Sequence, residues 1–145
     1  MNRDEIRFRL LTLLYEKYYQ YEKRPLSAQN ILIELKPEKD ESTIFSEMNY
    51  LHHNGLAWGQ EILDEKYLSQ IRITQNGLDL VERVINQSLD ETQDEALKEK
   101  LRHILNDPNP TLKIRRFLDL TKSYSTLLGL VVSVFRKLLK EEDLR

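Results

Sequence analysis

The side chains in this chain that could do acid–base, metal or nucleophilic chemistry are few and poorly spaced for it. His52 and His53 are adjacent. On a helix their side chains diverge by roughly 100° and cannot both bind one metal. His103 is far off in sequence and has no partner one helical turn away. The acidic clusters Asp40-Glu41, Asp64-Glu65 and Glu141-Glu142-Asp143 fall at a helix start, a turn and a terminus, where solvated charges and helix caps account for them. There is no cysteine, which removes disulfides, zinc ribbons, iron–sulfur clusters and thiol catalysis. The four glycines form no phosphate-cradling loop. No metal, cofactor or enzymatic activity is expected. Tyr18, Tyr19 and Tyr21 could stack on bases, although a tyrosine stripe at a helix end is more often packed on the core.

At 145 residues, the chain suits one domain with an appendage or two very small ones. An apolar share of 40% beside 32% charged residues is ordinary for a globular protein. The first residues carry mixed charge and lead straight into an amphipathic segment, so no signal peptide is read. The longest apolar run, Leu127 to Phe135, is interrupted by Gly129 and Ser133. It is far shorter than the roughly 20 residues that cross a bilayer. A cytoplasmic protein with no membrane partner is expected.

Helical periodicity opens the chain. Ile6, Leu10, Leu13, Leu14 and Tyr18 recur at helical spacing from Asp4 to about Gln20, and Leu11, Tyr15 and Tyr19 widen that face. Arg24-Pro25-Leu26 reads as an extended linker, after which Ser27 is placed to cap a short helix with Ile31, Leu32 and Leu35 inward. A third helix starts at Asp40 or Ser42, buries Ile44, Phe45, Met48 and Leu51, and stops at Asn54-Gly55. A hairpin follows. Leu56 and Trp58 are expected on the core side of its first strand, and Tyr67, Ile71 and Ile73 share a parity on the second. Thr74 caps a fourth helix carrying Leu78, Val81, Val84 and Ile85. The polar stretch Asn86–Asp90 is read as a boundary, with Ser88 or Asp90 capping the next helix, and Asn106-Asp107-Pro108-Asn109-Pro110 as a second break.

From Thr111 to about Glu141, Ile114, Phe117, Thr121, Tyr124, Leu128, Val131, Phe135 and Leu138 alternate by threes and fours, which predicts one long helix with a coiled-coil-like seam. Leucines and valines beside the seam widen it to the face of a helix in a bundle of three or four. So broad a face suggests homodimerisation through Phe117, Tyr124, Leu128, Val131, Phe135 and Leu138. Gly129 marks either a close helix crossing or a tolerated glycine costing about 1 kcal/mol.

The order helix, helix, turn, helix, hairpin, helix over residues 3–86, with Leu51-His52-His53-Asn54-Gly55-Leu56 closing the third helix and Ile73-Thr74-Gln75-Asn76-Gly77-Leu78 joining strand to helix, resembles the winged helix-turn-helix of MarR-like and PadR-like regulators. The resemblance implies a mainly α fold with a small β-hairpin, residues 1–86 forming the winged domain and 87–145 a helical extension for dimerisation or partner docking. It implies sequence-specific binding of double-stranded DNA by a homodimer, with the third helix in the major groove. Thr43, Ser46, Asn49 and Tyr50 would then read base edges. Lys39, Lys66 and Arg72 would contact phosphates, with Arg3 and Arg7 more remote contributors. The charge balance keeps an alternative in play, a winged-helix adaptor that binds another protein and no DNA. Residues 1–86 hold 11 Lys+Arg against 14 Asp+Glu, and Asp40, Glu41 and Glu47 surround Lys39 on the helix meant for the groove, so that Arg115, Arg116 or Lys122 would have to supply positive charge.

Overall fold

A computed structural model describes residues 3–35, 40–62 and 67–143. Among them are seven helices and one three-stranded antiparallel sheet, so the chain is mainly helical with a small β element. The elements are α1 (Arg3–Gln20), β1 (Leu26–Ser27), α2 (Ala28–Leu35), α3 (Glu41–His53), β2 (Ala57–Glu61), β3 (Leu68–Ile73), α4 (Gln75–Glu91), α5 (Glu95–Leu105), α6 (Pro110–Ser123) and α7 (Ser125–Asp143). They fall into two compact units, Met1–Leu78 and Asp79–Arg145. The division lies inside α4, upstream of the boundary expected at residue 86.

In the first unit, α1 buries Ile6, Phe8, Leu10, Leu11, Leu14 and Tyr15, a face too wide for one apolar stripe. It packs against α3 and β3. Ile31 and Leu32 of α2 and Ile44, Phe45, Met48 and Leu51 of α3 complete the helical part of this core, as their spacing predicts. The Asp40 carboxylate accepts from the Thr43 amide at 2.9 Å and caps α3. Its other end closes through paired reverse bonds. Gly55 N–H donates to His52 C=O at 3.2 Å and Leu56 N–H to Leu51 C=O at 2.9 Å. Gly55 takes φ +74°, the left-handed conformation such a stop requires.

That stop changes the strand reading. Leu56 belongs to the helix cap, so β2 begins at Ala57. Ala57 faces inward at 2% exposure, and Trp58 faces outward at 39%, opposite to the expectation for Trp58. On β3, Ile71 and Ile73 are inward as expected, whereas Tyr67 is exposed and Leu68 is buried. The pairing shifts between Gln60 and Glu61, which face Gln70 and Leu68 and leave Ser69 unmatched. An extra residue of this kind reverses the alternation beyond it. The sheet also has a strand absent from the sequence reading. Leu26–Ser27 pairs with Ile71 and Gln70, giving the order β1-β3-β2.

Thr74 caps α4 as expected, accepting from the Gly77 amide at 3.1 Å while its hydroxyl donates to Gly55 C=O at 2.7 Å. A methyl group at Gly77 would overlap the Leu56 carbonyl and lie 2.6 Å from Ile73 Cγ1, so only glycine lets α4 start this close to the strands. α4 then runs unbroken to Glu91, through the polar stretch read as a boundary. Asp94, not Ser88 or Asp90, caps the next helix, accepting from the Ala96 and Leu97 amides.

In the second unit, α5 buries Leu97, Leu101 and Ile104, and α6 buries Ile114, Phe117 and Thr121. Asn109 caps α6 and Pro110 occupies its first turn, as the Pro–Asn break implies. The single long helix expected from Thr111 is not formed. Tyr124 leaves the helical conformation at φ −125°, ψ 99° and separates α6 from α7. The inward face of α7 is consequently rotated, with Leu127, Val131, Val134, Phe135 and Leu138 buried and Leu128 only half-buried. Lys113 pairs with Glu82 at 2.7 Å and Lys137 with Glu91 at 3.0 Å, tying α6 and α7 to α4. Gly129 is exposed, and a methyl group there would meet nothing within 4 Å, so it marks no close crossing among the described residues.

Candidate nucleic-acid interface

The outward side of α3 is shaped by its cap and by its contact with α1. Thr43 is half-buried, and its hydroxyl is held by the Asp40 carboxylate at 3.0 Å, so it belongs as much to the cap as to the surface. Ser46 is exposed and Asn49 half-buried. Tyr50 is half-buried beneath the Arg7 guanidinium, which lies 3.4 Å from its ring centre. One face of that ring is thereby occupied by a cation.

Glu47, expected on the same outward surface, is not there. It is 1% exposed, bonded to Arg7 and 3.2 Å from Arg3. A carboxylate this buried is tolerable only with cationic partners. Arg7 is therefore enclosed between Glu47 and Tyr50, whereas Arg3 reaches Glu47 while its side chain stays largely exposed. The exposed acidic residues on α3 and its cap reduce to Asp40 and Glu41.

Lys39 and Lys66 lie outside the described residues. Arg72 is half-buried on β3, directly opposite Trp58 on β2. Its guanidinium donates to Lys23 C=O at 3.3 Å and lies 5.7 Å from the Trp58 ring centre. The outward Trp58 and the nearness of Lys23 to Arg72 escaped the sequence reading. Recognising that Gly55-Leu56 forms the helix stop would have shifted the strand parity by one and found the tryptophan. Tyr18 is half-buried while Tyr19 and Tyr21 are exposed, so the tyrosine cluster is only partly absorbed by the core.

Of the residues proposed for an intermolecular seam, Phe117, Val131 and Phe135 are fully buried within the chain, and Leu138 is 8% exposed. Tyr124 and Leu128 are half-buried. Arg115, Arg116 and Lys122 are exposed, with Arg116 bonded to Asp107 at 2.7 Å.

Among the described residues no three His, Cys, Asp or Glu side chains converge on a metal-sized site. The His52 and His53 rings are 5.3 Å apart, and His52 Nε2 lies 3.4 Å from a Glu61 carboxylate oxygen. No described helix is long and apolar enough to cross a membrane. No protein-family profile matches the chain, and neither a curated protein nor a solved structure shows significant similarity to it.

Proposed function

We propose that this chain is a cytoplasmic, non-enzymatic transcription regulator of the winged helix-turn-helix type, binding double-stranded DNA in a sequence-specific manner. In this reading α2 and α3 are the helix-turn-helix, α3 enters the major groove, and the β2–β3 hairpin is the wing. The observation behind it is the element order α1-β1-α2-α3-β2-β3 closed by a sheet ordered β1-β3-β2. That arrangement leaves Ser46 exposed on the helix assigned to the groove. Withdrawal of Glu47 into the α1–α3 contact supports the same reading, because it removes one repulsive charge from the docking side.

Two copies would pair through the C-terminal helices. With Phe117, Val131 and Phe135 sealed inside one chain, the contact would fall on outer residues of α6 and α7 such as Leu128.

A protein-binding adaptor is the second reading. It is favoured by the exposed Asp40 and Glu41 at the start of α3, since the first turn of a recognition helix is the part that meets base edges. Selection from a pool of random duplexes separates the two. The regulator enriches a shared motif, and Asn49→Ala relaxes preference at one position of it by about 1–3 kcal/mol. An adaptor enriches nothing.

A further inference from the structure

The outward face of the sheet assembles side chains from three places in the first unit. Trp58 and Arg72 are cross-strand partners, and so are Gln60 and Gln70 in the next outward row. Their inward neighbours Ala57, Ile71 and Ile73 are buried, which fixes these four on the side away from the core. The α1–β1 turn brings the Lys23 carbonyl to Arg72, and the Lys23 and Arg24 side chains that adjoin it are exposed. Glu22 and Lys23 take φ +55° and +68°, left-handed backbone that side chains other than glycine adopt at a cost. The turn is held by Lys23 N–H donating to Tyr18 C=O at 2.7 Å and by Arg72 donating to Lys23 C=O at 3.3 Å. One acid, Glu22, approaches Arg24 at 3.8 Å, and both of those side chains are about four-fifths exposed, a pair that water largely screens.

We propose that this face binds single-stranded nucleic acid, with the Trp58 ring stacking on a base and Lys23, Arg24 and Arg72 holding phosphates. The pieces match that ligand class. An exposed indole flanked by cations gives stacking with backbone attraction, and the amides of Gln60 and Gln70 can bond base edges in any sequence. Trp58 is the only large apolar side chain in the two outward rows, so a protein partner would find little apolar area to bury there. A duplex, whose bases are already stacked, offers the indole no ring face. The site is separate from the outward residues of α3 and does not depend on the duplex reading.

Trp58 is the only tryptophan, so emission from the full chain reports on this face alone. Titration with a short oligothymidylate at low salt is expected to quench it to saturation. The affinity should fall with salt at a log–log slope of about −2, the value for three phosphates on a single strand. Measured with a labelled oligonucleotide, Trp58→Ala should weaken binding about 5- to 150-fold, and Arg72→Gln should reduce the slope by about 0.7. Ser46→Ala combined with Asn49→Ala should leave the quenching intact. The proposal is overturned if oligothymidylate produces no quenching at low salt, or if polyglutamate quenches equally well. Unchanged binding in both the Trp58 and Arg72 variants, or loss of quenching in the α3 double variant, would equally exclude it.

Discussion

A carboxylate in the middle of α3 would repel any polyanion if it faced outward, and Glu47 avoids this by turning into the contact with α1. Its two oxygens meet Arg3 and Arg7, and Arg7 in turn lies over Tyr50. The side chain of Arg7 is 14% exposed, whereas that of Arg3 is 71% exposed, so most of the coupling belongs to the Arg7 pair. Glu47→Ala would leave Arg7 partly buried against the Tyr50 ring, with Asp4 at 3.8 Å as a weaker acidic neighbour. The expected loss is about 3 kcal/mol in denaturant unfolding. Arg7→Met with Glu47→Leu should recover much of it, and a double-mutant cycle reads the coupling directly. The glycines give a second residue-scale contrast. Gly77→Ala forces a methyl into the Leu56 carbonyl and should destabilise by about 1–3 kcal/mol. Gly129→Ala, with open space around it in the interior of α7, should stabilise by up to about 1 kcal/mol. Thermal melts of the two variants should shift in opposite directions.

At the scale of elements, what could be read from the sequence depended on whether one local signal decided the structure. The buried faces of α1, α2, α3 and α5 were legible because apolar residues recur there at helical spacing. Asp40 marks the start of α3, whereas the start of α5 at Asp94 was missed. β1 was not, since two residues carry no periodicity and pairing with β3 alone makes them a strand. Trp58 was misplaced because parity depends on where counting starts, and the helix stop at Gly55-Leu56 displaced that start by one. α4 ran past its expected end because Ser88 and Thr92 are buried within the fold, with the Thr92 hydroxyl donating to Ser88 C=O at 2.6 Å. The break at Tyr124 has no proline or glycine to announce it. Its effect is concrete, because the apolar face of α7 is buried within the chain itself. Phe135→Ala should therefore cost about 3–5 kcal/mol, measured as a drop in melting temperature that does not vary with protein concentration. A dimer seam at Phe135 would instead make the size of that drop depend on protein concentration.

For the whole molecule the governing quantity is charge. A net charge of −2 gives no general attraction to nucleic acid. On the proposed reading, duplex binding would come from the outward side of α3, where Glu47 is withdrawn and Ser46 is exposed. Duplex binding is read most directly by a salt titration of the full chain against random-sequence duplex, followed by fluorescence anisotropy. A DNA-binding regulator should bind at low salt and lose affinity with a log–log slope of about −0.9 for each phosphate neutralised. Absence of binding at the lowest salt tested would contradict the claim.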